Sequence, residues 1–299
     1  MRVLVLGATG MLGHKLMQRS GDSLDVTGTV RGEAATYRNH PVLQGRRLLG
    51  GVSAENFDSV VLALAVARPE AVINCIGIIK QLPAAKDPLP SLTINALFPH
   101  RLAHLCQAAG VRLVHISTDC VFSGRRGNYS EDDISDAEDL YGRTKYLGEV
   151  SRPGCLTLRT SIIGRELHSR VGLLEWFISQ RGGRVRGYTK AIYSGFTTQV
   201  IAELIASILE QPADLQGLWH VSSAPISKYD LLMLVNQAME LGITLEPDET
   251  FVCDRSLDSS RFRQKTGYQP PSWSEMVKSV AEDSTPYDSY SRKAPTIGR

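Results

Sequence analysis

Short β-branched apolar runs alternate with stretches of helical spacing through the first half of this chain. Arg2–Leu6 (RVLVL) reads as a strand, with Met11–Arg19 as the helix after it. Asp25–Val30 is a second strand. Phe57–Arg68 carries helical spacing, and Ala71–Ile76 (AVINCI) is a strand again. Asn95–Ala109 predicts a helix, Arg112–Ser117 (RLVHIS) a strand, Leu140–Val150 a helix and Leu156–Thr160 (LTLRT) a strand. Strands alternating with helices predict an α/β fold, a doubly wound parallel sheet of Rossmann type with helices on both faces. Runs this apolar throughout fit strands buried on both sides. Past about residue 162 the rhythm changes. Gly172–Gln180, Thr198–Leu209, Lys228–Met239 and Ser272–Val280 read as helices, with Leu218–Ser222 as the single strand-like run among them. The polar stretch after Glu282 holds two prolines and reads as a mobile tail over 283–299, with folding over a neighbouring surface as the alternative.

At 299 residues and 42% hydrophobic content the chain can bury a full core, as two domains or one large unit with an appended lobe. Its 33 basic and 31 acidic side chains leave a formal charge of +2, which gives no support for a nucleic-acid partner. Cys75, Cys106, Cys120, Cys155 and Cys253 form no C-x-x-C pair, and four sit in or beside apolar runs. Reduced thiols in a cytoplasmic protein are expected. Histidine spacing suggests no metal site. No apolar stretch is long enough for a leader or a membrane span, so a membrane partner is not expected.

Gly7-Ala8-Thr9-Gly10-Met11-Leu12-Gly13 lies between the first strand and its helix. Glycines there permit a tight turn, close approach of backbone to a pyrophosphate, and close helix–strand packing, while the helix N-terminus faces the phosphates. A turn that holds no ligand is the bland alternative. The spacing is one residue longer than the G-x-G-x-x-G of ordinary dehydrogenases and points to a different branch of the fold. The second strand ends Thr29-Val30-Arg31 with no acid before Glu33. A basic residue there suits the 2′-phosphate of NADP(H), so that cofactor is favoured over NAD(H). A solvated strand-end arginine would look the same.

Tyr141 and Lys145 stand four apart and so project from one helical face. Such a pair is common on surface helices. It gains weight from Ser117-Thr118-Asp119 at the carboxyl end of a strand, where an open α/β sheet lines its ligand crevice. An ammonium near the phenol would lower its pKa and could also hold a nicotinamide ribose. Tyr141 would then donate a proton to a ketone oxygen, and Thr118 would fix that oxygen in place.

Four stretches together resemble the extended short-chain dehydrogenase/reductases, and within them the sugar-nucleotide reductases of the dTDP-4-dehydrorhamnose reductase type. They are GATGMLGH at 7–14, STDCVFSG at 117–124, YSEDD at 129–133 with DLYGRTKYLGE at 139–149, and LRTSIIG at 158–164; LDSSRF at 257–262 is a weaker echo. The resemblance spans roughly 1–280. It implies a Rossmann domain over 1–162 with a return segment about 196–222, and a smaller substrate-binding domain from 163–195 and 223–282. It maps the catalytic triad onto Thr118, Tyr141 and Lys145. The cofactor is then expected against Gly7, Thr9, Gly10, Met11, Leu12, Gly13 and Arg31, against Cys75, Ile76 and Gly77, and against Ser117, Tyr141 and Lys145. Lys80, Thr118, Asp119, Cys120 and Arg261 are the expected contacts of a nucleotide-sugar substrate. Arg261 stands first in a basic pool of Arg165, Arg184, Arg186, Lys190, Arg255 and Arg261. Trp176 and Phe177 are expected in the core, and Thr197-Thr198 at a helix N-cap.

The implied reaction is NAD(P)H-dependent reduction of a 4-keto-6-deoxy sugar carried on a nucleoside diphosphate. The sequence departs from the family pattern at Cys120, where a tyrosine is usual, at Gly77-Ile78-Ile79-Lys80-Gln81, and at Asp254-Arg255-Ser256. These departures bear on the sugar and the nucleotide more than on hydride chemistry. An epimerase or dehydratase, and a non-catalytic NADP(H)-binding regulatory subunit, are the alternatives. The resemblance allows a homodimer, though no stripe in the sequence marks an interface.

Overall fold

In the computed structural model, which describes residues 1–19, 21, 23–168, 170–211 and 215–287, seven parallel strands form one sheet. They are β1 (Arg2–Leu6), β2 (Asp25–Thr29), β3 (Arg47–Leu49), β4 (Ala71–Asn74), β5 (Arg112–Thr118), β6 (Cys155–Thr160) and β7 (Gly217–His220). Their order is β3-β2-β1-β4-β5-β6-β7. It reverses between β1 and β4, and the crevice at the carboxyl ends of those two strands is where such sheets bind ligands.

The sheet is covered on both faces because its central strands carry buried apolar residues pointing to either side. Val3 and Val5 join a cluster with Leu16, Met17, Ile201 and Ile205, while Leu4 and Leu6 join Val60, Leu64, Phe98 and Leu102. Each fully buried Leu or Val contributes about 1.5–3 kcal/mol relative to exposure. Helices Gly13–Gln18 and Thr198–Glu210 therefore lie on one face, and Phe57–Ala67 with Phe98–Ala108 on the other. The Phe57–Ala67 helix stops at Arg68, which takes a left-handed conformation at φ 44°. The expected Asn95–Ala109 helix starts earlier, at Pro88, and runs through a π-helical segment, Leu92–Leu97. Leu140–Val150 ends at Leu147, and Met11–Arg19 begins at Gly13.

The remainder is less purely helical than the periodicity implied. Arg184–Tyr188 pairs with Thr244–Asp248, and Ala191–Tyr193 lies between Ile226–Ser227 and Cys253–Asp254. Arg184–Tyr188 and Thr244–Asp248 escape pattern reading because they are largely exposed with charged residues inside them, and the other three because they are only two or three residues long. β3 escapes for the same reason. Phe177 is fully buried, but Trp176 is 39% exposed and lies outside the core. Thr197 occupies a helix N-cap, yet its hydroxyl makes no capping bond. At its start the tail is not mobile but takes the alternative, folding over a neighbouring surface: Asp283, Thr285 and Tyr287 are anchored to the Gly13–Gln18 helix. Residues 288–299 lie outside the described residues.

Candidate active site

The glycine turn sits at the carboxyl end of β1, facing the exit of β4. Gly7 adopts φ +85°, and a side chain at Gly13 would place its Cβ 2.0 Å from the Gly7 carbonyl oxygen. The first helix can approach the turn only because that atom is missing. Ile76 packs against Gly7, and Cys75 lies close enough to Lys145 for the two to influence each other's ionisation. Burial dominates at Cys75 and pushes its thiol up to about 12. Thr29 ties the turn to β2, accepting from the Gly7 amide through its hydroxyl at 3.2 Å and from Ala8 through its carbonyl at 3.0 Å. Arg31 follows two residues later and is exposed at the strand end. Met11 and Thr9 are half-buried along the turn, and Leu12 is buried.

Thr118 is the last residue of β5. Its hydroxyl accepts from the Cys120 amide at 3.1 Å and donates to Asp119 at 3.1 Å. Tyr141 and Lys145 come from the Leu140–Leu147 helix, whose N-terminus is capped by Asp139 accepting from the Gly142 amide at 2.7 Å. The Lys145 ammonium donates to the Ile116 carbonyl at 2.7 Å, pinning this helix to β5. Burial holds Lys145 down to about 8, opposed by Glu149 just past the end of the helix. Tyr141 faces the Thr118 hydroxyl. Its phenol is held well above its ordinary range, first by burial and then by the neighbouring Cys120, Asp119 and Asp139. The expectation that the Lys145 ammonium depresses this phenol is not met, because Lys145 is turned to the Ile116 carbonyl.

The substrate side divides the expected contacts. Asp119 is buried, and desolvation raises its carboxyl against the opposing pull of Arg255. The Cys120 thiol is pushed up to about 12 by burial, with Asp119 adding to the effect. Lys80 pairs with Asp139 at 2.5 Å, beside the Leu140–Leu147 helix. Arg261 does not join them: it is exposed and stacks over the Trp219 ring, 4.5 Å from its centroid. Arg255, from the same pool, is the arginine brought to Asp119, Cys120 and Asp139, held by Phe122 and Ser123 carbonyls at 2.7 and 3.2 Å. Tyr193, on the strand Ala191–Tyr193, is buried and influenced by Asp119, a neighbour that motif reading missed.

Behind Thr118, Tyr141 and Lys145 lies a buried polar chain that was also missed. The Ser117 hydroxyl donates to Glu149 at 2.7 Å, and Arg159 grips both Glu149 oxygens at 2.7 Å each. Arg159 reaches on to His220 at 3.2 Å. Its signal was legible as an arginine inside an apolar strand, LTLRT, because a buried charge needs a partner. Asn95, in the π-helical segment, exchanges two hydrogen bonds with the Ile78 backbone at 2.9 and 3.0 Å and so fixes the chain leaving β4.

The family model described as RmlD substrate binding domain matches residues 1–285. A dTDP-4-dehydrorhamnose reductase of Mycolicibacterium smegmatis is 30% identical over 170 residues, 55% of this chain and 46% of that protein. One from Aggregatibacter actinomycetemcomitans is 23% identical over 93% of this chain and 98% of its own length. The alignments span less than half the length of the Mycolicibacterium protein and of a Streptomyces griseus relative, at 46% and 43%. A solved dTDP-4-dehydrorhamnose reductase from Bacillus anthracis, in complex with NADP, superposes with a TM-score of 0.76 at 22% identity. It covers 93% of this chain and 98% of that one, which establishes the shared fold.

Proposed function

Because the chain belongs to the RmlD substrate binding domain family, we propose that it is an NAD(P)H-dependent reductase of a nucleotide-linked 4-keto-6-deoxy sugar. The observation that carries this reading is the meeting of Thr118 and Tyr141 at the end of β5, with Lys145 on the same helix at the crevice of the glycine turn.

The residues fit a dinucleotide. A Cβ at Gly10 would meet only the Gly7 carbonyl oxygen, at 3.4 Å, so the outer side of the turn is open to a pyrophosphate. A Cβ at Gly77 would come within 4.0 Å of the Lys145 ammonium, so its absence leaves that group reachable by a ribose. Gly7 to Gly13 would hold the pyrophosphate, Arg31 the 2′-phosphate of NADP(H), and Lys145 the nicotinamide ribose. When bound, the reduced nicotinamide supplies hydride to the ketone carbon.

Tyr141 gives its proton to the ketone oxygen as negative charge develops there. The phenol carries its proton at neutral pH, as any tyrosine does, and so can donate it; burial in the ligand-free protein makes it a weaker acid than an ordinary tyrosine. Thr118 donates a second hydrogen bond to the same oxygen and positions it. The lobe formed by 163–195 and 223–282 would bind the nucleotide, with Arg255 the better-placed guanidinium for its diphosphate. Lys80, Asp119 and Cys120 would face the sugar.

The test is NADPH consumption with a panel of nucleotide-linked 4-keto-6-deoxy sugars. One of them should be reduced stoichiometrically, and Tyr141→Phe should cut kcat by about 10²–10⁴-fold. Tight NADPH binding with no turnover on any sugar would refute the reductase reading, leaving the epimerase, dehydratase or regulatory alternatives.

A further inference from the structure

The segment after the last helix reaches back to the first one. Asp283 forms an ion pair with Lys15, both largely buried. Thr285 accepts from Gln18 at 2.9 Å and from Lys15 at 3.3 Å. Gln199, on the Thr198–Glu210 helix, donates to Asp283 at 3.2 Å. These bonds deliver Tyr287, which is 4% exposed, into the core beneath the glycine turn.

There the Tyr287 hydroxyl lies 2.8 Å from Nε2 of His14, and Nδ1 of the same ring lies 2.9 Å from the Gly10 carbonyl oxygen. The ring is fully buried. A carbonyl oxygen can only accept, so Nδ1 of the neutral ring carries the proton, and Nε2 competes for the single Tyr287 proton with Asp283 Oδ2, which lies 3.1 Å from the same hydroxyl. His14 also donates its backbone amide to the Gly10 carbonyl at 3.1 Å. That carbonyl is thus held from two directions, which sets the plane of the Gly10–Met11 peptide on the open side of the turn.

We propose that Tyr287 is a positioning residue for the dinucleotide: acting through His14, it fixes the Gly10 peptide, so the affinity of the N-terminal turn depends on the segment 283–287. The inference rests on the reading of Gly7–Gly13 as the cofactor turn. Loss of the tyrosine hydroxyl leaves Nε2 buried without a partner and frees the ring that holds the turn. The unpaired nitrogen itself costs folding stability in both states; binding loses what it takes to re-order the released turn, about the net worth of one hydrogen bond or up to roughly tenfold in affinity.

The experiment compares the full chain with Tyr287→Phe, His14→Gln and the double variant by NADPH titration calorimetry. Amide hydrogen exchange of the cofactor-free proteins is measured alongside. Tyr287→Phe should weaken NADPH binding roughly tenfold, and the double variant should be no weaker than His14→Gln alone. With a sugar that turns over, the loss falls on KM for NADPH. In the free protein, exchange at the His14 amide should accelerate while β5 stays protected. Wild-type affinity in Tyr287→Phe, additive losses in the double variant, or unchanged exchange at His14 would each overturn the proposal. Absence of NADPH binding by the wild type would instead sink the cofactor reading, and the exchange comparison would still decide whether Tyr287 holds the turn.

Discussion

Glu149→Gln removes one charge from a buried cluster while keeping its shape. Three donors converge on this carboxylate: the Ser117 hydroxyl and two nitrogens of Arg159, all at 2.7 Å. The Arg159 side chain is 3% exposed and that of Glu149 10%, so solvent cannot stand in for the lost charge. Breaking a buried pair in this way costs about 3–5 kcal/mol, and a glutamine that still offers one oxygen places the loss near the lower figure. Against a total stability of about 5–15 kcal/mol that is a large share. It corresponds to a melting temperature lowered by roughly 6–12 °C. Glu149 also supports the charged form of Lys145, which burial holds down to about 8. Without it the ammonium titrates lower still, and the alkaline limb of NADPH binding moves toward neutrality. Thermal denaturation and NADPH titration across pH test both effects. The double variant Glu149→Leu/Arg159→Met should recover much of the lost stability, since neither charge is then stranded. The reasoning fails if Glu149→Gln costs less than about 1 kcal/mol, or if the double variant is no more stable than the single one.

Gly13→Ala sets a Cβ 2.0 Å from the Gly7 oxygen; the expected result is a loss of about 2 kcal/mol or more together with NADPH binding, and wild-type titration curves would refute it. Arg31→Ser should raise KM for NADPH roughly ten- to hundredfold while leaving that for NADH nearly unchanged, and unaltered discrimination would remove Arg31 from the cofactor site. Burial holds His14, His40 and His220 down from 6.5 to about 4, so below pH 6.5 the unfolded chain binds protons that the folded one refuses. Stability is therefore fully present above about 6.5 and falls as the pH drops toward 4; equal urea midpoints at about pH 7 and about pH 5 would refute this.

The sheet was legible because its strands are buried on both faces, and continuous apolar runs such as RVLVL and AVINCI stand out without any partner being known. The glycine turn and the Tyr141/Lys145 pair were legible because each is set by spacing within one segment. What stayed hidden depends on encounters between distant segments. Arg255 and Arg261 are six residues apart in one arginine-containing stretch, and only the fold turns one toward Asp119 and the other over Trp219. The anchoring of Tyr287 escaped for a related reason: polar side chains that mark a tail in isolation are the ones that pair with Lys15 and Gln18. Short exposed strands such as Arg184–Tyr188 carry no alternation to detect.

The late arrival of β7 has a consequence for how this protein is made. The strand beside β6 on its outer side is not supplied until residues 217–220, after the chain has passed through several short strands and two helices. During synthesis β6, whose six residues are all buried in the finished structure, has its hydrogen-bonding edge open while more than fifty further residues emerge. An unpaired apolar edge of that kind is a template for joining another chain. A fragment ending near residue 162 should therefore aggregate instead of serving as an isolated nucleotide-binding domain, and the folding yield of the whole chain should depend on how long nascent β6 waits for its neighbour.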